Sequence, residues 1–527
     1  MPRYVMNTEL KSVFPGKYQS KLRSMKNVSK FIIQFMLVMG MGACFEDKGN
    51  YDYKELPVVG ITNIEEKYGI SQFDTLRITP HLILEQGSEG DYDYLWRIWS
   101  SSGLSPFTTM SEKLELEYWV SELPGSYNIN LTVIERSTGL QESYDMSLTV
   151  SGIITEGWMV LHEKDGKTDF DLITDRFFVN RILDKDVRHR NVYEMTHGEP
   201  FPGKIVKLGS FWFPLKHWVY LFTENGGIRL SGGTMQTAAD LSSLFLEGGD
   251  NLQPAGYGFI YYWNSQGRGA EVLISNGHFY INPWWGSTFV EPVCQNGLTY
   301  HAAPFVARKM RWSFVSVIYD ELQARFLQVN SQVMQVNTFP SNSTGVFDVN
   351  NMNADMCFLE TGFNGYEYAV MKNRTTGEYS LCLLDFTSEE NNFAKQQYSM
   401  ADWPGVDRAI NYAVGARGNV FYYCTSEAVY MSNMDNKPAK ECLTVPADEK
   451  ITSMRLLKPN EHGYLTNHPY DSKVLIVGTW NETTQEGKVY MYYVNETDGV
   501  IDMDSMKVFD GFGKILDMDY NWAPYGS

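Results

Sequence analysis

Two loops of the sequence carry tryptophans beside proline and glycine. Pro283-Trp284-Trp285-Gly286 holds two of them, and Trp403-Pro404-Gly405 holds a third. An exposed indole ring can stack on a sugar ring or on an apolar ligand group while its N–H donates a hydrogen bond. We therefore name Trp284, Trp285 and Trp403 as candidate ligand-binding residues. The alternative is that these rings pack between sheets as part of the core.

Motifs for catalysis are missing from the sequence. It has no dinucleotide-binding glycine loop, no phosphate-binding loop, no paired-histidine zinc motif and no serine elbow. The spaced carboxylates of Asp165-Gly-Lys-Thr-Asp-Phe-Asp171 are similar to a calcium loop, but the distal glutamate is absent and a plain turn is preferred. With 62 of the 63 acids beyond residue 43, no pair can be assigned to glycoside hydrolysis. We predict no catalytic residue, no metal and no cofactor.

The cysteines beyond residue 44 do not have the spacing of a metal site. None of them forms a C-x-x-C pair, which makes a zinc site improbable. We expect most to be small buried residues, with one disulfide left open as an alternative. They are Cys294, Cys357, Cys382, Cys424 and Cys442.

Cys44 is the residue whose chemistry the sequence specifies best. It follows a basic flank, a short apolar run over residues 31–40, and the small residues Gly42 and Ala43. This order is that of a bacterial lipoprotein signal, in which the cysteine is lipidated and becomes the new N-terminus. The apolar run is too short to span a bilayer comfortably. We therefore expect acylated Cys44 to attach the protein to a membrane.

The residues around this cysteine define the expected address. Residues 1–43 are the signal region, with the true start at Met25, and residues 44–55 are an acylated tether. Glu46 and Asp47 resemble the acidic surface-export signal of Bacteroidetes lipoproteins. The expectation is a lipid anchor in the outer membrane and a protein that faces the cell exterior.

Charge excludes some classes of partner. The chain has 63 acidic and 44 basic residues, a formal net charge of −19. A nucleic-acid partner is excluded because phosphate binding needs a basic face, and attraction to anionic lipid is equally unfavourable. The 33 tyrosines and 13 tryptophans, without long helical patterns, indicate a β-rich protein outside the cytoplasm.

Residues 56–151 have the pattern of a small β-sandwich. About seven short strands, separated by turns, fit within roughly 95 residues, as in an immunoglobulin-like domain. Residues 127–134 alternate so that every second side chain shares a face. Trp96 is expected in the core on a middle strand, and Tyr127 is the candidate corner tyrosine.

The N-terminal third resembles the PKD-like family of Bacteroidetes lipoproteins. The residues that carry the resemblance are Cys44, Gly49-Asn-Tyr-Asp-Tyr53, Tyr94-Leu-Trp96 and Pro124-Gly-Ser-Tyr127 leading into Asn130-Leu-Thr-Val133. Members of this family are commonly encoded beside TonB-dependent outer-membrane receptors and their nutrient-binding lipoproteins. The resemblance therefore implies a surface lipoprotein with such partners.

Residues 152–527 repeat a unit of strand, turn and strand. Seven apolar strands begin mostly about 53–56 residues apart, which predicts a β-propeller of about seven blades. We expect each of these apolar strands to be the inner strand of its blade, and Ile515–Tyr520 to supply a closing strand to the first blade. Further sandwich domains in series are the alternative. The apolar strands are Trp158–Leu161, Trp218–Phe222, Gly258–Tyr262, Phe314–Ile318, Glu367–Met371, Val420–Tyr423 and Val474–Val477.

Three functions fit these features. The first is a non-catalytic, surface-exposed lipoprotein that binds a glycan or a peptide as an accessory of a nutrient uptake system, beside a TonB-dependent receptor and its binding lipoprotein. The second is a propeller-type polysaccharide hydrolase or lyase, which needs acids that converge in a central funnel. The third is a structural partner of a receptor complex without a small ligand. The missing catalytic motifs favour the first.

Overall fold

The computed structural model of the protein describes residues 59–522 except for 85–86, 103–105, 154–155, 179–185, 214–215, 248, 263–268, 284, 308, 311–314, 331–333, 342–343, 389–390, 435–437 and 460–467. These residues form 39 β-strands and one short α-helix, so the protein is all-β. Within these ranges, no helix combines the length and the apolar character that crossing a membrane requires.

Contacts divide the chain into two compact units. The first comprises residues 1–61 and 82–89, and the second comprises residues 62–81 and 90–527. The main described feature of the first unit is a two-stranded sheet of β1 and β4. The strands up to residue 151 are β1 (Val59–Thr62), β2 (Lys67–Ser71), β3 (Thr75–Ile78), β4 (His81–Leu84), β5 (Tyr92–Ser100), β6 (Thr108–Ser111), β7 (Leu116–Trp119), β8 (Gly125–Glu135) and β9 (Gln141–Ser151).

The N-terminal part of the second unit is an immunoglobulin-like sandwich. A five-stranded sheet has the order β2-β9-β8-β5-β6, and β3 pairs with β7. Trp96 on β5 is completely buried, and its indole nitrogen donates to the carbonyl oxygens of Lys113 and Leu114, 3.1 Å away in both cases. The Tyr127 hydroxyl donates to the carbonyl of Leu123 at 2.8 Å. The sequence prediction of a core tryptophan and a tyrosine corner is therefore confirmed.

Seven sheets follow in the described residues and form a β-propeller. Blade 1 contains β10 (Gly157–Lys164), β11 (Lys167–Thr174) and β12 (Val187–His189), and blade 2 contains β13 (Ile205–Phe213), β14 (Lys216–Thr223), β15 (Gly226–Ser231) and β16 (Thr237–Asp240). A short helix, α1 (Val192–His197), lies between them. Blade 3 contains β17 (Pro254–Tyr262), β18 (Gly269–Ser275) and β19 (His278–Pro283); blade 4 begins with β20 (Val293–Cys294) and β21 (Ala302–Ala307).

The other strands complete blades 3 to 7. Strand β22 (Lys309–Met310) pairs with β17 of blade 3, and blade 4 continues with β23 (Val315–Asp320), β24 (Arg325–Asn330) and β25 (Gln335–Thr338). Blade 5 contains β26 (Thr344–Gly345), β27 (Ala354–Thr361), β28 (Glu367–Asn373), β29 (Tyr379–Leu384) and β30 (Asn392–Ser399). Blade 6 contains β31 (Asn411–Val414), β32 (Phe421–Cys424), β33 (Ala428–Ser432) and β34 (Lys440–Thr444). Blade 7 contains β35 (Lys450–Leu456), β36 (Val474–Asn481), β37 (Glu486–Val494) and β38 (Ile501–Phe512).

The last strand closes the ring of blades. β39 (Lys514–Asn521) pairs with β10 of blade 1, so this blade combines residues from both ends of the propeller sequence. The indole nitrogen of Trp158 donates to the sulfur of Met518 at 3.4 Å, and the Tyr520 hydroxyl donates to the Phe178 carbonyl at 2.7 Å. The sequence prediction that Ile515–Tyr520 completes the first blade is confirmed.

The position of the apolar strands differs from the expectation. In six blades the predicted apolar strand is the second strand from the centre, namely β10, β14, β23, β28, β32 or β36; in blade 3 it is β17, which lines the centre. The second strands are buried on both faces, as the unbroken burial of β18 and β36 demonstrates. A strand that faces the central channel keeps polar residues on that side, which weakens its apolar signal.

Candidate functional site

The innermost strands of the seven blades enclose a central channel. The cavity has a volume of about 350 Å³ and is lined by residues of β13, β17, β21, β27, β31, β35 and β39 or their immediate ends. Side chains alternate along each strand, so one set packs on the neighbouring blades and the other lines the cavity. A concave cavity to which every blade contributes is the strongest candidate binding site in the described residues.

An ion pair joins blades 7 and 1 in this channel. Nη2 of Arg455 on β35 lies 2.8 Å from Oδ1 of Asp517 on β39. The other oxygen of Asp517 accepts the backbone N–H of Leu208 on β13 at 3.0 Å. Asp517 is therefore held by groups of blades 7 and 2.

Lys207 is a second cation of the channel. Its Nζ donates to the carbonyl oxygen of Ala255 on β17 at 3.1 Å. In the described part of the chain, Lys207 has no carboxylate within ion-pair distance. Burial lowers the pKa of Lys207; Asp517 and Asp519 act in the opposite direction, and Arg455 lowers it further. The amine therefore lies among protein groups that only partly stabilise its positive charge.

A buried ion pair lies at the end of the channel where the innermost strands end. Nζ of Lys458, two residues after β35, is 2.9 Å from Oε1 of Glu360 on β27 and donates to the Thr361 carbonyl at 2.8 Å. Oε2 of Glu360 accepts the backbone N–H of Val414 at 3.0 Å. The Lys458 side chain is only 4% exposed. These contacts join blades 5, 6 and 7.

Aromatic rings form another part of the channel wall. Phe358 on β27 lies between Tyr412 on β31, with ring centroids 5.2 Å apart, and Phe305 on β21, with centroids 6.4 Å apart. Tyr257 and Phe259 on β17 also line the cavity. Rings beside charged groups suit a ligand that has both an apolar face and polar substituents.

The structure separates the candidate tryptophans. Trp285 is 53% exposed in the loop after β19, where Lys216 donates to the neighbouring Gly286 carbonyl. Trp403 is 6% exposed and packs beside Phe421 and Tyr423, with centroid distances of 5.8 and 5.9 Å. Its ring therefore has the core position that the alternative interpretation described.

These two tryptophans also follow strands of opposite direction. β19 runs parallel to the innermost strand of its blade, whereas β30, which precedes Trp403, runs antiparallel to the innermost strand of its own. Because the innermost strands of a propeller point the same way, Trp285 and Trp403 lie at opposite faces of the ring. They do not form one binding surface.

The other residues that the sequence analysis singled out include some that the structure describes and some that it does not. Trp284, Cys44, Glu46 and Asp47 lie outside the described residues. The five cysteines beyond Cys44 are all described, and each is unpaired. Asp165 and Gly166 form the turn between β10 and β11, with positive φ at both positions. Among the described residues, no group of three or more His, Cys, Asp or Glu is placed to hold a metal ion.

Sequence reasoning did not identify the channel residues. Lys207, Arg455 and Asp517 are isolated charges in strands where polar and apolar side chains alternate, which is also the pattern of a solvent-exposed sheet face. One sequence signal could have identified them as channel residues. Lys207 and Arg455 lie in the strand that precedes a long apolar run, and Asp517 lies in the closing strand. Only the ring of seven blades brings these three side chains together.

The chain has similarities to known proteins. Residues 44–204 match the PKD-like family. A quinonprotein alcohol dehydrogenase-like protein from Bacteroides thetaiotaomicron has a similar solved structure, with 12% identity and a TM-score of 0.48 over 88% of this chain and 99% of that one. The extracellular domain of a one component system from the same organism is similar at 10% identity and a TM-score of 0.34, over 60% of this chain and 36% of that one. No curated protein matches the chain.

Proposed function

We propose that the protein is a surface-exposed lipoprotein of the outer membrane that binds a small ligand in the propeller channel, as a non-catalytic accessory of a nutrient uptake system. The observation that carries the binding role is the channel, in which charged and aromatic side chains from all seven blades meet. Its glycan or peptide ligand would be delivered to a TonB-dependent receptor and its binding lipoprotein.

The anchoring part of the proposal is supported by the N-terminal sequence. The match to the PKD-like family begins at Cys44, the residue that the sequence predicts to be lipidated. Several acyl chains on one cysteine would anchor the protein firmly, since each buried methylene contributes about 0.8 kcal/mol. Glu46 and Asp47 support export to the cell surface.

The arrangement of the channel acids favours binding over glycoside hydrolysis. Hydrolysis by a carboxyl pair requires one protonated carboxyl that can donate to the leaving group. Asp517 and Glu360 instead face Arg455 and Lys458, and both also accept backbone N–H groups. Each of these two acids is therefore already engaged by a cation and by a backbone donor. The hydrolase or lyase alternative therefore gains no support from these two acids.

Membrane fractionation tests the anchor. In cells that produce the wild-type protein, we expect it in the outer-membrane fraction and accessible to protease added to intact cells. Cys44→Ser should move the protein to the soluble fraction, whereas Cys294→Ser, a matched change at a half-buried cysteine, should not. A Cys44→Ser protein that stays in the membrane fraction would disprove the acyl anchor.

A pull-down from the native outer membrane tests the accessory role. The protein carries a C-terminal tag, and co-purified proteins and bound carbohydrate or peptide are identified. Recovery of a TonB-dependent receptor with its binding lipoprotein supports the proposal. Recovery of the protein alone from solubilised membranes, in repeated preparations at low salt, contradicts the uptake role.

A further inference from the structure

We propose that the central channel selects a small molecule that bears a carboxylate, with Lys207 as its counter-ion and the aromatic wall against its apolar face. This inference rests on the proposed binding function and adds the chemical class of the ligand. A uronic acid and a short peptide with a free C-terminus share this chemistry.

Lys207 is the channel cation without a carboxylate within ion-pair distance among the described residues, although Asp519 also lines the cavity and, like Asp517, raises the pKa of Lys207. Asp517 is occupied by Arg455 and by the Leu208 N–H, and Glu360 is occupied by Lys458. An ammonium group has three donors, and the described hydrogen bond of Lys207 uses one of them, toward Ala255. The other donors are available to a ligand in the cavity.

An anionic ligand would compensate the charge of Lys207, which is half-buried at the cavity wall. A charge surrounded by protein groups is unfavourable unless a partner compensates it. The lowered pKa of Lys207, caused first by burial, agrees with incomplete compensation. A carboxylate next to Nζ would form a charge-assisted hydrogen bond, which is about twice as strong as a neutral one.

Arg455 supplies a second polar contact beside the same position. Its described side-chain bonds involve Nη1, toward the Met454 carbonyl at 3.3 Å, and Nη2, toward Asp517. A guanidinium group has five N–H donors, so further donors remain for hydroxyl or carboxylate oxygens. Because Asp517 already balances Arg455, we assign the anion to Lys207 and a supporting role to Arg455.

The size of the cavity limits the ligand. About 350 Å³ is at the lower end of the volumes of small-molecule sites, which suits a monosaccharide, a disaccharide or a dipeptide rather than a long polymer in cross-section. The buried Glu360–Lys458 pair closes part of one end. The ligand would therefore reach Lys207 from the face where the innermost strands begin, since Lys207 is near the start of β13.

Calorimetric titration of the full-length protein tests the inference with matched probes. D-Glucuronate and D-glucose differ in one carboxylate, as do glycyl-tyrosine and glycyl-tyrosine amide. We expect at least one of the two carboxylates to bind about tenfold or more tightly than its neutral partner, because a hydrogen bond to a charged group contributes about 1.5–3 kcal/mol. The pair that shows the preference identifies the source of the ligand.

Three variants connect this preference to Lys207. Lys207→Met should weaken binding of the carboxylate about tenfold or more, whereas Lys207→Arg should retain it. Lys204→Met removes an exposed lysine three residues away and should leave binding unchanged. Thermal unfolding controls for folding; Lys207→Met is expected to be about as stable as wild type because Lys207 is only half-buried and has no ion pair to lose among the described residues.

Two outcomes would overturn the inference. One is equal binding of the charged and neutral probes, or binding of none of them. The other is a carboxylate preference that Lys207→Met leaves intact. If the pull-down recovers a receptor together with a neutral ligand, the proposed function stands and only the carboxylate inference fails. Failure of the inference is therefore distinguishable from failure of the proposed function.

Discussion

The Nζ of Lys458 lies 2.9 Å from Oε1 of Glu360, and this buried contact joins blade 7 to blade 5. Lys458 also donates to the Thr361 carbonyl, while Glu360 accepts the N–H of Val414 in blade 6. Three blades are therefore connected by two side chains at one end of the channel. Each sheet of the ring packs on its two neighbours, whereas this contact also joins blades that are not adjacent. It therefore helps to hold the ring together.

Loss of this cation is expected to destabilise the propeller. Lys458→Met keeps the side-chain length but leaves the Glu360 carboxylate without its counter-ion, and breaking a buried pair by removing one partner costs about 3–5 kcal/mol. Urea unfolding should show the loss as a lower midpoint. Lys440→Met, at an exposed position of β34, should change the free energy of unfolding by less than about 0.5 kcal/mol. Equal effects of both changes would contradict the structural role of the pair.

Asp169 should make stability depend on pH between about 4 and 6. Its carboxylate accepts the N–H groups of Phe170, Tyr193 and Glu194, two of which belong to the start of α1. Burial nevertheless raises its pKa from 3.8 to about 6, since the opposing hydrogen bonds are the smaller effect. The native state then binds a proton that the unfolded chain has released, so the contribution of Asp169 to stability falls as pH rises from about 4 to about 6.

The test is to compare wild type with Asp169→Asn in urea at pH 4, 5, 6 and 7. Asparagine cannot accept all three N–H groups as the carboxylate does, so the variant carries a constant penalty. The difference in free energy of unfolding should nevertheless move in favour of the variant by up to about 3 kcal/mol from pH 4 to pH 7. Parallel pH profiles would argue against the raised pKa of Asp169.

A methyl group at Gly513 should disturb the closure of blade 1. A Cβ at this position would lie 2.1 Å from the carbonyl oxygen of Glu163 on β10, which is backbone and cannot move aside like a flexible side chain. Gly513→Ala should destabilise the protein by about 1–3 kcal/mol, the usual cost of overpacking. Gly69→Ala is the control, because nothing lies within 4 Å of the added Cβ. Both variants are measured by thermal unfolding. If Gly513→Ala is as stable as Gly69→Ala, the close packing of Gly513 against β10 is contradicted.

The two described candidate tryptophans should respond differently to truncation. Trp403→Ala is expected to cost about 3–5 kcal/mol because it empties a buried site beside Phe421 and Tyr423. Trp285→Ala should change stability by less than about 0.5 kcal/mol, since its ring is half exposed. Ligand affinity measured on the same proteins separates a stability effect from a binding effect. If Trp285→Ala unfolds the protein as readily as Trp403→Ala, the two assignments are wrong.

Local patterns made the architecture predictable. The alternation along β8 and the place of Trp96 indicated the sandwich, and the regular interval between apolar strands indicated the blades. The closing strand was also visible, because Ile515–Tyr520 follows the last complete unit and alternates in the same way. Each of these signals lies within a few residues of sequence, or repeats at a constant distance.

The channel was not predictable from such signals. Lys207, Arg455 and Asp517 are distant in sequence, and their proximity results from closing the ring. The seven apolar strands have long apolar runs because most of them are buried on both faces. A strand buried on both faces lies between two other strands of its blade, and for this reason most of these strands are not innermost. The burial of Trp403 likewise depends on neighbours in another blade, which the Pro-Gly pattern around it does not contain.

The pairing of β10 with β39 also determines the order in which the chain can fold. Trp158 and Met518, which are in contact across these strands, are 360 residues apart in sequence. As the chain emerges N-terminus first, the middle blades can form from local hairpins, but blade 1 has to wait for the last strand. Until then the edge of β10 is unpaired and open to wrong partners. Contacts of such high sequence separation form late and slow folding, so the edge of β10 needs protection until β39 is in place.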